Sequence, residues 1–151
     1  MRYPRSLCIT CGNWGEPVLD KAEVTIHTGR QRVIDLTSIV ADFVADKGDG
    51  LVNVFIPHAT AGVAIMETGS GSEADLVGIL DRVFPRDDRY RHRHGSPGHG
   101  ADHVIPAFVS PSVTVPVAAG MMLLGTWQSI VLVDPNTDNP QRRVILSMLG
   151  G

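Results

Sequence analysis

Short apolar runs bounded by turn-forming residues recur along the chain and predict a series of strands. Two strands are predicted within Ala22–Ile34, on either side of a polar turn at residues 28–30. The remaining predicted strands are Leu51–Pro57, Val63–Ile65, Val104–Val109, Val113–Val117, Met122–Leu124, Trp127–Val133 and Arg143–Leu149.

Two other segments have the i, i+3, i+4 spacing of amphipathic helices. The first begins at Thr37 or Ser38, either of which would cap it, and runs to about Asp46. The second covers Ser72–Phe84 and ends before Pro85. Together the patterns predict an α+β protein, a mostly antiparallel two-sheet sandwich or pseudo-barrel with about two helices.

Domain organisation follows from the 151-residue length and from where the periodic pattern begins. Residues 1–20 have no such pattern and are predicted to form a flexible extension, whereas residues 21–151 form a single domain. Cys8 and Cys11 form an isolated Cys-x-x-Cys pair with no further zinc ligands nearby, and we interpret them as two ordinary thiols. The absence of a signal-peptide core and of a long apolar run favours a soluble cytoplasmic protein.

The net charge of −3 argues against nucleic acid as a partner, and the hydropathy pattern argues against a membrane. Five arginines nevertheless fall in one stretch between positions 82 and 93, interleaved with aspartates. Arginine binds phosphate and carboxylate groups well because its planar guanidinium makes paired hydrogen bonds. The stretch would therefore suit a phosphate or carboxylate ligand, and the alternative is an ordinary solvated surface.

Four of the six histidines lie within twelve residues, at positions 92, 94, 99 and 103. Imidazole is the commonest ligand for transition metals, and one loop carrying several can gather them around a single ion. The alternative is a polar surface loop with exposed histidines, since residues 86–102 form an unusually long polar segment.

Several other residues are candidates for binding or catalysis. His58 and Thr60 lie in a small-residue turn directly after a predicted strand, Glu67 follows the next strand, and Asp75 begins the second helix. Asp75 is also what an ordinary first helical turn contains, and Trp127 is more typical of a core position than of a platform for substrate stacking.

Several motifs together resemble one family, the YjbQ-like family, also called uncharacterised protein family 0047 or secondary thiamine-phosphate synthases. The sequence His58-Ala-Thr-Ala-Gly-Val-Ala-Ile-Met-Glu67 is similar to its His-x-Thr/Ser-Ala-x-Leu-x-Ile-Asn-Glu signature. Asp75-Leu76, Tyr90-Arg91-His92, Asp102-His103-Val104, Ser110-Pro111-Ser112 and the strands from Gly120 and Arg142 also resemble its ordered motifs.

The resemblance implies a two-sheet pseudo-barrel that assembles as a homotrimer. It further implies an activity that joins hydroxymethylpyrimidine diphosphate to thiazole phosphate and releases pyrophosphate. Carried over by position, the catalytic candidates are His58, Glu67, Asp75 and His103, and the substrate-binding candidates are Thr60, Gly62, Arg91 and Trp127. A divalent metal, zinc or magnesium, is expected on His58, His92, His94 and His103.

Two positions depart from the family pattern. Met66 stands where the family usually has Asn, and Ile105 stands where a Lys is common. Both replace groups that a catalyst would use. Two alternatives to a synthase therefore stay open, a non-enzymatic binder of a phosphorylated metabolite and a metal-dependent phosphohydrolase.

Overall fold

The computed structural model describes residues 18–87 and 89–150. Cys8 and Cys11, and most of the predicted extension, lie outside the described residues. The strands are β1 (Val18–His27), β2 (Val33–Asp35), β3 (Gly50–Phe55), β4 (Gly62–Met66), β5 (Ser112–Ala118), β6 (Met121–Met122), β7 (Ser129–Val133) and β8 (Gln141–Gly150). The helices are α1 (Thr37–Val44), α2 (Ser72–Val83) and α3 (His99–Asp102).

The strands form two antiparallel sheets. One has five strands in the order β1-β8-β3-β5-β6, and the other has three in the order β2-β7-β4. Long β1 pairs with β8 over its whole length, from Val18 opposite Gly150 to His27 opposite Gln141. The predicted α+β fold with two mostly antiparallel sheets is confirmed.

The main core lies between the two sheets and includes one side of α1. It contains Val40 and Val44 from α1 together with Val52, Val54, Ile130 and Leu132 from the strands. The alternate residues of β7, Val131 and Val133, face a second core on the other side of the smaller sheet. Because both faces of β7 are buried, its sequence is continuously apolar rather than alternating.

The second core fixes α2 and α3 on the outer face of the smaller sheet. Leu80 and Phe84 from α2 and Ala101 from α3 pack there with Val131 and Val133. This contact holds α3, and with it the histidine-rich segment, against a rigid strand.

The predicted strand Val104–Val109 is wrong. Ile105–Ala107 forms a 3-10 turn instead, and the backbone N–H groups of Phe108 and Val109 both donate to the carbonyl oxygen of Ile105. Pro106 has no N–H to contribute to a strand ladder, and Ile105 is buried in the second core.

Three further expectations need correction. The segment 86–102, predicted as loop, ends in α3, so the chain has a third short helix. Neither Thr37 nor Ser38 caps α1, because the Thr37 hydroxyl accepts a hydrogen bond from the Ile130 N–H instead. The first strand begins at Val18, so the last residues of the predicted 1–20 extension belong to the large sheet.

Candidate metal centre

Two histidines are presented by α3 and the residue after it. His99 and His103 are four residues apart, so one helical turn places them on the same side. Their Nε2 atoms lie 2.7 Å apart. Ala101 and Ile105, on the opposite side, anchor this turn in the second core. The helix is short, and its position is set by packing rather than by its own propensity.

The preceding loop folds back over α3 and brings two more imidazoles to the same place. The ring centroid of His92 is 4.0 Å from that of His94 and 4.3 Å from that of His103. One ligand nitrogen from each of His92, His94, His99 and His103 lies within 4.8 Å of all the others. These four residues are called the histidine cluster below.

Close packing of this loop depends on glycine at two positions. Gly95 has a φ of +81°, and a Cβ there would lie 2.9 Å from Cγ of His99. Gly100 lies under Tyr90, whose Cβ would be 2.5 Å from an added side-chain carbon. Side chains at these positions would push the loop away from α3.

The surroundings of two members of the cluster, His92 and His103, disfavour the charged form of the ring. Desolvation and then the neighbouring histidines lower the pKa of His92 and His103 below the ordinary 6.5. A neutral imidazole offers the lone pair that a metal ion needs.

The cluster opens onto a cavity of about 250 Å³. His92, His94 and His99 line it, together with Tyr90, Arg93 and residues 95–98. The volume suits a small polar metabolite, and Arg93 contributes a cationic side chain to its wall.

Behind the cluster lies a network of polar groups, in which Asn136 and Asp102 are buried and Asp138 is exposed. Asp138 Oδ2 lies 2.8 Å from His99 Nδ1, and Asn136 Nδ2 lies 3.2 Å from the same nitrogen. Asn136 also donates to Asp102 Oδ2 at 2.9 Å, and Arg86 pairs with the other oxygen of Asp102. Burial raises the pKa of Asp102, although its hydrogen bonds with Asn136 and Arg86 act in the opposite direction.

The loop that carries Asp138 and Asn136 is held by its own side chains. Arg142 makes two 2.8 Å hydrogen bonds to the buried carboxylate of Asp134. The Asn136 side-chain oxygen accepts hydrogen bonds from the backbone N–H groups of Asp138 and Asn139. The nearby Ser96 hydroxyl, the Ser96 backbone N–H that donates to the carboxylate, and then His99 lower the pKa of Asp138.

His58 lies in a different place, and the structure does not bring it to the histidine cluster. Its Nε2 accepts a hydrogen bond of 2.9 Å from the backbone N–H of Arg143. It lines a second cavity of about 310 Å³, here called the His58 pocket, with Thr25, Asn139, Gln141, Arg142 and Arg143. Desolvation, Arg142 and Arg143 lower the pKa of His58, with Asp134 opposing them.

Thr60 and Gly62 are packed inside the protein near the end of this turn. Thr60 is buried, and Gly62 begins β4. A Cβ at Gly62 would collide with the carbonyl oxygen of Val109 and lie 2.9 Å from that of Ser110. Both observations give these two residues structural roles alongside the substrate-binding roles expected of them.

The remaining predicted site residues are exposed. Glu67 follows β4, Asp75 lies in the first turn of α2, and Arg91 lies in the loop before His92. Trp127 is 74% exposed, which excludes the core position considered for it within this chain. None of these four lines either cavity as described.

Sequence reasoning missed two residues of the site, Asp138 and Asn136, and the ligand set carried over from the resemblance names His58 where the structure places His99. The run of four closely spaced histidines in the sequence already included His99. Asp138 and Asn136 come from a separate turn and carry no comparable signal.

Taken together, the fold and the site define an α+β protein of two antiparallel sheets with a polar cavity walled by histidines. Among the described residues, no helix is both long and apolar enough to cross a bilayer. A sequence model of the family described as UPF0047 protein YjbQ-like matches residues 22–151. The chain belongs to this family.

Relatives cover nearly the same length. The chain is 63% identical over 133 residues to the UPF0047 protein Rv2556c of Mycobacterium tuberculosis, covering 88% of this chain and 100% of that protein. It is 32% identical over 128 residues to the UPF0047 protein YugU of Bacillus subtilis, covering 82% and 93% respectively.

Solved structures show the same fold. The crystal structure of hypothetical protein APE1520 from Aeropyrum pernix K1 has a TM-score of 0.79 at 29% identity, covering 87% of this chain and 99% of that one. A YbjQ-like protein of unknown function, SSO2532 from Sulfolobus solfataricus P2, has a TM-score of 0.83, covering 89% and 99%. At 22% identity, that second likeness concerns the fold alone.

Proposed function

We propose that the histidine cluster binds a divalent transition metal, zinc in preference to magnesium, and that the cavity beside it takes a phosphorylated metabolite. The observation that carries this proposal is the convergence of four imidazole ligand atoms within 4.8 Å. Imidazole nitrogens suit zinc, whereas magnesium takes oxygen ligands. The metal expected from the sequence is thereby narrowed to zinc, with His99 in place of His58.

The donor set also fits a catalytic role. Catalytic zinc sites use three protein ligands and leave a fourth position for water or substrate. His99 and His103 are fixed by α3, whereas His92 and His94 are exposed at the cavity. One of the two exposed rings would leave its position when a substrate oxygen binds.

The reaction we propose is the joining of hydroxymethylpyrimidine diphosphate to thiazole phosphate. The carbon–oxygen bond to the diphosphate breaks, and pyrophosphate leaves with the electron pair. The thiazole nitrogen uses its lone pair to form the new carbon–nitrogen bond, giving thiamine phosphate. A bound zinc ion would supply positive charge to the leaving oxygens.

Residues of this chain would assist that departure. Arg93 lines the cavity and would orient the diphosphate, since a guanidinium binds phosphate oxygens in pairs. Tyr90 lines the cavity beside α3, where its ring would limit the access of water. Positioning and charge stabilisation would supply most of the catalysis.

The test follows the pyrimidine diphosphate over time, with and without thiazole phosphate, in wild type and in His103→Ala. We expect wild type with zinc to form thiamine phosphate and His103→Ala to form none above background. His27→Ala is the matched control, because His27 ends β1 and lies outside both cavities. No product from zinc-loaded wild type would reject the synthase.

A non-enzymatic binder is the second candidate, and one observation favours it. Ile105 is only 2% exposed and packs in the second core, so this position gives the cavity no cation. A binder predicts that the pyrimidine diphosphate raises Tm and is recovered intact. Diphosphate cleavage without thiazole phosphate would instead indicate a hydrolase.

We also propose that the chain forms a homotrimer, as its family resemblance implies. In support, Leu19, Leu149 and Leu51 are cross-strand neighbours on the large sheet, and all three side chains are exposed. Water-exposed apolar rows of this kind are common at interfaces between subunits.

Sedimentation velocity tests this assembly. We expect a trimer for wild type and for Arg30→Glu, in the turn between β1 and β2, and smaller species for Leu51→Glu. A monomeric wild type at all concentrations would contradict the proposal.

A further inference from the structure

The two ring nitrogens of His99 have different surroundings. Its Nε2 lies 2.7 Å from the Nε2 of His103, inside the histidine cluster. Its Nδ1 lies 2.8 Å from a carboxylate oxygen of Asp138 and 3.2 Å from the amide nitrogen of Asn136. One nitrogen therefore faces the ligands, and the other faces both a hydrogen-bond acceptor and a hydrogen-bond donor.

The orientation of the Asn136 amide is fixed by its other partners. Its Oδ1 accepts hydrogen bonds from the Arg142 guanidinium and from the backbone N–H of Asp138. Its Nδ2 donates to the buried carboxylate of Asp102. The atom that reaches His99 is therefore a donor.

A neutral imidazole carries one proton, so these surroundings support two tautomers of His99. With the proton on Nδ1, the ring donates to Asp138 and the Nε2 lone pair is free. With the proton on Nε2, the ring donates to His103, and its Nδ1 lone pair accepts the Asn136 amide. In each tautomer the ring proton therefore has an acceptor, Asp138 for the proton on Nδ1 and His103 for the proton on Nε2.

Only the first of these tautomers can bind a metal through Nε2, because the metal takes that lone pair. We propose that Asp138 is a positioning residue that selects the metal-binding tautomer of His99, and that Asn136 supports the competing tautomer when no metal is bound. Metal uptake then moves the ring proton from Nε2 to Nδ1. This inference rests on the proposed metal site.

The surroundings hold Asp138 in the required place. Its Oδ2 accepts the backbone N–H of Ser96 at 3.3 Å, and its own N–H donates to Asn136. A Cβ at Gly95 would lie 3.0 Å from Nδ1 of His99 and 3.2 Å from Oδ2 of Asp138. The glycine therefore leaves the carboxylate and the ring in direct contact.

The experiment measures zinc affinity and the His99 tautomer separately. Zinc dissociation constants come from competition with a chromophoric chelator, and tautomers come from long-range proton–nitrogen spectra of protein labelled with ¹⁵N-histidine. The variant is Asp138→Asn, which keeps the size of the side chain and removes the carboxylate. The control is Asp87→Asn, because Asp87 lines the same cavity but pairs with Arg89.

We expect Asp138→Asn to weaken zinc binding by about 10–100-fold, the usual effect of losing a partner behind a metal-bound histidine. Without zinc, the variant should show more of the Nε2-protonated ring of His99 than wild type does. Asp138→Glu should recover part of the affinity, whereas Asp87→Asn should bind zinc as wild type does. If Asp138 served only to stabilise the fold, Asp138→Asn would leave the ratio of the two His99 tautomers unchanged.

Different results overturn different proposals. If wild type binds no zinc, the metal site is wrong. If wild type binds zinc but Asp138→Asn binds it equally well, the role of Asp138 is wrong and the metal site stands. Loss of affinity with an unchanged tautomer ratio, or an equal loss in Asp87→Asn, also contradicts tautomer selection.

Discussion

The histidine cluster and the His58 pocket use the same side chain in opposite ways. In the cluster, four imidazoles converge on one point, and a carboxylate supports one of them from behind. In the pocket, a single imidazole lies between two arginines, and its Nε2 is already bonded to a backbone N–H. The partner of its second nitrogen and its neighbours therefore decide whether a histidine can serve as a metal ligand or only as a structural hydrogen-bond acceptor.

Arg142 connects these two regions, so replacing it should have the largest effect. Arg142→Met leaves the buried carboxylate of Asp134 without its cation, which costs about 3–5 kcal/mol. The lost hydrogen bond to Asn136 would also loosen the residues behind His99. Urea denaturation measures the change in the free energy of unfolding.

Arg143→Met is the control for that experiment. Arg143 is exposed and lies 3.6 Å from Glu23, so its loss should cost about 1 kcal/mol or less. Equal losses in the two variants would show that the Arg142–Asp134 pair has no special role.

Removing one histidine from each region tests the comparison directly. His103→Ala should weaken zinc binding by at least about 100-fold, because removing a ligand should cost at least as much zinc affinity as removing a group that supports one. His58→Ala should leave zinc affinity unchanged, since its ring is bonded to the Arg143 N–H. Chelator competition measures both, and an equal loss in His58→Ala would place that residue in the metal site.

A smaller effect is expected at Gly62, at the start of β4. Gly62→Ala would press a methyl group against the carbonyl oxygens of Val109 and Ser110, and overpacking of this kind costs about 1–3 kcal/mol. Thermal unfolding provides the measurement.

Gly78→Ala gives the matched control for Gly62. Gly78 is in α2 with open space around it, so alanine should stabilise the protein by about 1 kcal/mol. If Gly62→Ala did not lower Tm either, the tight packing at the start of β4 would be contradicted.

The smallest expected effect is a pH dependence of stability from His58. Above pH 6.5 its ring is neutral in both states, and its titration costs no stability. As the pH falls below 6.5, His58 binds a proton in the unfolded chain but not in the folded protein. The free energy of unfolding therefore decreases until the pH reaches the lowered pKa of His58 in the folded protein.

Thermal unfolding from pH 8 to pH 5 in the presence of a chelator measures this. His58→Gln keeps an acceptor for the Arg143 N–H and should give a flatter curve than wild type. Parallel curves for the two proteins would show that burial and the two arginines do not disfavour the charged ring.

Much of the fold could be predicted from the sequence because most elements bury one face. The alternation in β8 and the helical spacing in α1 and α2 follow directly from that. The strand predicted at Val104–Val109 is wrong because a short apolar run has no periodicity that distinguishes a strand from a buried turn. Pro106 was the residue that argued against the strand.

The site was predictable only where its residues are close in sequence. Four histidines within twelve residues indicated a metal site, and the structure brings those four together. Asp138 approaches His99 because β7, the following turn and α3 share one core, and no local pattern contains that information. His58 was grouped with the metal ligands through the resemblance, since its own surroundings could not be read from the sequence.

The short spacing of the four histidines also has a consequence for chain entropy. A cross-link that closes a loop of about twelve residues removes less entropy from the unfolded chain than one that joins distant segments. Ligands this close together can also meet the same ion in the unfolded chain, and any such binding subtracts from the stabilisation. We therefore expect zinc to order the segment 92–103. The accompanying rise in Tm should be smaller than the rise calculated from the affinity of the folded protein for zinc alone.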